Sequence, residues 1–381
     1  MKLKPYALLV IIFLLPYVFM CGQQDESGYT IEIVEGVKHI HNRAPLWGDT
    51  LKVALEFVQR IGEIECKDEN YLFYMPWDIA RDSTGNIYIV DYGNWRIQKF
   101  DSNGKYLSTI GRKGQGPGEF SSQPLNIDLN SNGKIYVKDL TFDLFNIITP
   151  EGKFVKRFSF SEYGSMFRIS NSGNIIISYE NFPISYVDNK PLKPVTHSSL
   201  IGVFDVESNL LKEFGEPIDF NDNQVTRLAN KNYFEIDSDD NIYLTFVRKN
   251  QIRKYSPEGK LLIKIEYPID YKKSYKFTVR KRENIAGDIF VTHMPDFPQV
   301  SRNIGIDHKK RIWITTIKKE KDENNFPSGL WEYYIFNSEG ILLGRLPMPE
   351  INGWMRIFQD RLYLIDSWGE MCVYEYKIVE K

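Results

Sequence analysis

The residues able to do acid-base, nucleophilic or metal chemistry are few in this chain. There are five histidines and three cysteines among 381 residues. His39-Ile40-His41 places two imidazoles on one face of a strand, the spacing of a metal-binding pair. No acidic third ligand stands out beside them, so the sequence predicts no metal site and no cofactor. His197 and His293 fall in two long connections, and His308 in a tight turn. Gly111 to Gly118 is glycine-rich but opens no helix, so it lacks the helix N-terminus that holds phosphates. No Ser-His-Asp arrangement emerges. Cys66 and Cys372 follow no spacing pattern, and Cys-x-x-Cys is absent. They are either a disulfide between chain ends that meet or two buried thiols. The run Lys272-Lys273-Ser274, Lys276, Arg280-Lys281-Arg282 reads most simply as a solvated loop, the other reading being a surface for an acidic glycan or lipid.

The elements that must position these residues are strands. One unit, a turn followed by a strand with Tyr or a relative at its centre, recurs six times. Its copies include Gly85-Asn86-Ile87-Tyr88-Ile89-Val90-Asp91, Gly133-Lys134-Ile135-Tyr136, Gly173-Asn174-Ile175-Ile176, Asp240-Asn241-Ile242-Tyr243, Lys310-Arg311-Ile312-Trp313 and Asp360-Arg361-Leu362-Tyr363. Successive turns are 48, 40, 67, 70 and 50 residues apart, and the shorter spacings match a four-stranded propeller blade. A third strand then ends in turns such as Thr149-Pro150-Glu151-Gly152 and Ser256-Pro257-Glu258-Gly259, where Pro pre-sets φ and Gly supplies φ > 0. Alternation has period 2 throughout, with almost no helical periodicity.

The stretch Pro76-Trp77-Asp78-Ile79-Ala80, Gly85 to Asp91 and Asn94-Trp95-Arg96-Ile97-Gln98-Lys99-Phe100 resembles an NHL repeat. Gly111 to Phe120 is similar to the linker of that family and of exported bacterial six-bladed propellers. The resemblance is strong over the first two blades and loose over the other four. It implies an all-β fold, a single six-bladed β-propeller of four-stranded antiparallel blades. The sixth unit runs out of chain before its fourth strand. Residues 51–63 read like a fourth strand elsewhere, so an N-terminal strand is expected to close the ring and leave no open sheet edge. Propeller lyases and lactonases resemble this fold and use metal ligands on one face, but their His-rich pattern is missing here.

In such a ring the turns between strands one and two, and three and four, share one face. Here those are tight. The insertions at residues 180–199, 268–302 and 318–330 all belong to the opposite face. Long loops in a compact domain are usually functional, so that face is the expected binding side. The aromatics Tyr92, Trp95, Phe120, Phe142, Phe182, Tyr186 and Trp368 lie in or beside these connections. They are either stacking surface for a ligand or packing between blades. Placed in register, the innermost strands put Asp128, Arg168, Glu235 and Arg356 at one shared position, with Ala80 and Gly305 in the remaining blades. Two acids and two arginines around a channel would bind a polar ligand or form a structural ion network. The candidate ligand-binding residues are therefore Asp128, Arg168, Glu235, Arg356, Tyr92, Trp95, Phe142 and Trp368.

The N-terminus reads as an export signal. Lys2 and Lys4 precede an apolar run over 6–20, shorter than the roughly 20 residues a spanning helix needs. Cys21 follows at once, then Gly22-Gln23-Gln24-Asp25-Glu26-Ser27. This resembles a bacterial lipoprotein signal with Cys21 as the lipidated residue, although Met20 stands where a small residue is usual. The other reading is an ordinary secretory signal cleaved nearby. The expected organisation is a signal at 1–21, a segment at 22–50 and the propeller at 51–381. Net charge is -2, and without the first twenty residues 46 basic against 50 acidic groups give -4, so no basic field attracts nucleic acid. The sequence thus points to an exported monomer in the periplasm or on the outer surface, held to the membrane only by a lipid anchor. It would be a non-catalytic module binding a small molecule, glycan or protein on the insertion-rich face. The alternative is a lyase- or lactonase-type propeller enzyme with a metal on that face.

Overall fold

The structure, a computed structural model, describes residues 28–140, 144–159, 164–179, 198–219, 229–269, 299–318, 331–351 and 353–381, with short pieces at 186–187, 190–191, 226, 276–283 and 289–296. Cys21, Phe142, Phe182 and His197 lie outside the described residues. Six antiparallel sheets follow one another around a ring. Blade one is Pro76–Arg81, Ile87–Asp91, Arg96–Phe100 and Tyr106–Ile110. Blade two runs from Pro124–Leu129 to Phe154–Ser159, and blade three from Gly164–Ile169 to Leu210–Phe214. Blade four begins at Asn232–Ile236, blade five at Ser301–Ile306 and blade six at Trp354–Phe358.

The recurring turn-plus-strand unit has a physical cause. In blade one the Asp82 carboxylate accepts the backbone N–H of Thr84 and Asn86 at 3.0 and 2.9 Å and the Tyr88 hydroxyl at 3.1 Å. Asp237 takes Asp239, Asn241 and the Tyr243 hydroxyl in the same way. Asp307 takes Lys309, Arg311 and the Trp313 indole N–H. The ring of the central Tyr or Trp is buried between blades, and its polar tip satisfies a turn carboxylate. One residue type therefore serves both core and turn.

The ring closes as the missing fourth strand requires. Val53–Ile61 lies antiparallel to Cys372–Glu380, from Val53 opposite Glu380 to Ile61 opposite Val373. Ile61 and Phe73 then join Ile79, Ile87, Ile89 and Phe100 of blade one to Tyr363, Ile365 and Val373 of blade six in one core cluster. Cys66 and Cys372 are free thiols, so the closure is held by strand pairing and packing. Burial pushes the Cys372 thiol up to about 11.

The segment before that strand forms a structure of its own. Tyr29–Val34 and Val37–Asn42 make a hairpin, turned at Glu35 and Gly36 with positive φ at both. Val37–Asn42 then pairs in parallel with Leu261–Glu266, the outer strand of blade four, making a six-stranded sheet. The Asn42 side chain fixes it, donating to the carbonyls of Glu266 and Gly340 and accepting from Leu342 N–H. The chain continues along blade five, where Leu46 and Trp47 donate to the carbonyls of Leu342 and Leu343. Four strands per blade is thus exceeded once, because the N-terminal segment covers an outer edge that would otherwise be open.

Candidate ligand-binding face

The order of strands confirms that the three long connections leave the ring on one side. They join second to third strands in blades three and five, and the fourth strand of blade four to the first of blade five. Residues 268–302 contain a second hairpin, Lys276–Glu283 against Ile289–Asp296. His293 lies on its second strand, and His308 is in a tight turn on the opposite face, donating its backbone N–H to Gln359.

At this side of the channel the innermost strands begin with aromatic residues. Trp77, Tyr233 and Trp354 each stand at the first or second position of their strand. Trp77 meets Tyr92 at 5.6 Å between ring centroids, Trp354 at 6.3 Å and Trp368 at 6.3 Å. Trp354 meets Tyr233 at 6.1 Å. The Arg302 guanidinium lies 3.9 Å from the Trp331 ring centroid and 5.9 Å from that of Trp354. Burial lowers the Arg302 pKa to about 10. The collar therefore runs through blades one, six, five and four. Trp368 is its outermost part, 62% exposed. A bulge between Pro76 and Ile79 takes Trp77 and Asp78 out of the ladder, and another between Arg302 and Ile304 takes out Asn303, next to Arg302.

Asp128, Arg168, Glu235 and Arg356 come together deeper in the channel. They face Tyr136, Ile176, Tyr243 and Tyr363 in the neighbouring strand, as Ala80 faces Tyr88 and Gly305 faces Trp313, so the shared register holds in all six blades. Asp128 and Arg168 are the second-to-last residues of their strands, one step from the tight turns. Arg168 donates to Glu235 at 2.9 Å. Arg356 donates to Asp78 at 2.9 Å and lies 3.9 Å from Asp128. Each acid also accepts backbone N–H groups: Asp128 takes Ile169 of the next blade, and Asp78 takes its neighbour Ile79 and Ile127 of the next blade. Burial works against the Arg168 charge, but Glu235 and Asp128 outweigh it and raise its pKa. Burial raises the Asp128 pKa against the pull of Arg168 and Arg356. Three carboxylates and two guanidiniums thus link five blades in a desolvated network.

Asp78 was not among the residues singled out by sequence. It stands in the bulge between Pro76 and Ile79, outside the ladder, and its carboxylate reaches Arg356 and the Ile127 N–H where blade one has only Ala80 at the shared position. Of the other candidates, Tyr92 and Trp368 belong to the collar. Trp95 packs beside the core shared by blades one and two, with the Lys113 ammonium 4.8 Å from its ring centroid. Phe120 is fully buried in that core. The glycine-rich stretch has its own explanation. The Glu119 carboxylate accepts Gly116 N–H and Arg112 Nε at 2.8 Å each, and the Phe120 ring lies where a Cβ on Gly111 would stand. The loop encloses a carboxylate, which leaves it unsuited to a phosphate.

No curated protein matches this chain. A family model, DUF5128, described as a 6-bladed beta-propeller, matches residues 68–149. Solved structures share the fold across most of the chain. A member of the DUF4221 family from Bacteroides vulgatus is 11% identical with TM-score 0.57, covering 87% of this chain and 99% of its own. A candidate exported protein from Bacteroides fragilis is 11% identical with TM-score 0.53, covering 87% and 96%. The PQQ-bound aldose sugar dehydrogenase of Streptomyces coelicolor is 10% identical with TM-score 0.50, covering 87% and 99%. At such identities the likeness is one of fold.

Proposed function

We propose that this chain is a non-catalytic binding propeller of a bacterial cell envelope, taking a ring-bearing ligand, such as a sugar or an aromatic group, on the aromatic collar of the insertion-rich face. The observation that carries this reading is the collar itself. Trp77, Tyr92, Trp354, Trp368 and Tyr233 offer faces and edges of several rings at one channel mouth, with the Arg302 guanidinium among them. Rings of this kind stack on sugars and aromatics while a cation orients polar substituents. The tight turns on the other side offer little concave surface. A soluble form of the chain screened on glycan and peptide arrays should yield a binder. Trp368→Ala should then weaken it by about 10-fold or more, as for a stacked hot-spot aromatic. The melting temperature should stay within about 1–2 °C, because Trp368 is mostly exposed. Unchanged affinity in both Trp368→Ala and Trp77→Ala would remove the collar as the site.

The envelope location is part of the same proposal. It rests on the apolar run over 6–20 that is followed at once by Cys21. Cys21→Ser is expected to move the protein from the membrane fraction to the soluble fraction after export, since acyl chains would be its anchor. A wild type already soluble after export would contradict it.

A further inference from the structure

The hairpin at the outer edge of blade four brings together residues that the sequence leaves apart. His39 and His41 lie on one face of Val37–Asn42, and the register sets Glu32 directly across from His39. On the other side, the parallel pairing sets Glu266 across from His41 and Lys264 across from His39. The absence of an acidic third ligand, expected from sequence, is therefore corrected. The Glu32 carboxylate is 3.2 Å from His41 Nε2 and 4.0 Å from His39 Nδ1, and one ligand atom from each of the three residues lies within 4.8 Å of the others. Donors around a tetrahedral ion at about 2.1 Å stand about 3.4 Å apart, so small side-chain rotations would bring all three onto one ion.

The second side of His41 carries the argument further. Its Nδ1 is 3.2 Å from a Glu266 oxygen, and the other Glu266 oxygen is held by the Gln251 amide at 3.4 Å. A carboxylate at Nδ1 accepts that nitrogen's N–H and so favours the tautomer whose Nε2 lone pair lies on the Glu32 side. This is the outer-shell arrangement that orients metal-ligating histidines. The group is open to solvent on one side, with the His41 side chain 37% and that of Glu32 58% exposed. An ion could enter there and keep a water as its fourth ligand. The nearby cations are Lys264, set across from His39 by the parallel pairing, and Arg253, which is turned away to the carbonyl of Glu216.

We propose that Glu32, His39 and His41 bind one divalent transition ion of the Zn2+ type, with Glu266 as the carboxylate that orients His41. The ligands come from both strands of the hairpin, and the orienting carboxylate comes from blade four. The ion therefore braces the two strands of the hairpin and, through Glu266, holds them to the propeller. The site is separate from the collar, and its test does not depend on any ligand of that face.

The test is calorimetric titration of the full chain with Zn2+ alone, beside variants that leave the strands intact. Wild type is expected to bind one equivalent. The double variant His39→Gln/His41→Gln should lose that equivalent, and Glu266→Gln should weaken it by about 10-fold or more. Zn2+ should protect the segment before residue 50 from limited proteolysis in wild type and not in the double variant. His308→Gln serves as a control and should leave binding unchanged, and melting in a chelator should be alike in all the variants. No saturable binding, or binding that survives the double variant, would overturn the site. An unaltered affinity in Glu266→Gln would overturn the orienting role.

Discussion

A chain lacking residues 53–61 is expected to lose its cooperative fold and aggregate. That stretch is the whole outer strand of blade six. It places Val53, fully buried, in the cluster between blades five and six, and Ile61 in the cluster between blades six and one. Burying such side chains contributes about 1.5–3 kcal/mol each, and the deletion also removes a full ladder of backbone hydrogen bonds. The sum is comparable to the roughly 5–15 kcal/mol that holds a domain together. The nine-residue Cys372–Glu380 would also be left with an unpaired edge. Size-exclusion chromatography and thermal unfolding test this, and a monomer that melts like wild type would contradict it. The milder Ile61→Ala should still fold and should lose about 2–4 kcal/mol in denaturant unfolding.

Arg168→Glu is expected to cost about 3–5 kcal/mol of stability, lowering the melting temperature by about 5–10 °C. Arg168 is 2% exposed and is bound to Glu235 at 2.9 Å. Reversal sets a third carboxylate beside Glu235 and Asp128 in a place water does not reach, and the blade-to-blade bond from Ile169 to Asp128 weakens with it. Whatever binds at the collar should bind the folded variant with nearly wild-type affinity. If instead affinity fell and melting hardly changed, the charged ring would be a ligand site and its structural role would be wrong. Restoring opposite charge with Glu235→Arg in the same chain should recover part of the loss, since the pair would exist again in reverse.

The ring was legible in the sequence because its determinants are local. Asp82, Asp237 and Asp307 each build a turn within six residues, and each leaves the same trace of an acid, a short gap and a buried Tyr or Trp. The closing strand was legible from a deficit, since blade six has three strands of its own. The shared position of Asp128, Arg168, Glu235 and Arg356 followed from counting along strands of period 2. What escaped was non-local. Asp78 and Trp77 sit in a bulge, where alternation fails, so neither their neighbours nor their direction could be counted. The hairpin at Glu35-Gly36 went unread in the segment at 22–50, and its parallel pairing with a strand more than 200 residues away has no local trace. Glu32 and Glu266 therefore came to the histidines only with the fold.

The measurement that bears most directly on a binding function at the collar is the position of a bound ligand. Once arrays have identified a binder, photo-crosslinking or a co-crystal structure should place it against Trp77, Tyr92, Trp354 or Trp368. Attachment on the opposite side, around the tight turns at Asp101 to Gly104 or Pro257 to Gly259, would contradict the account.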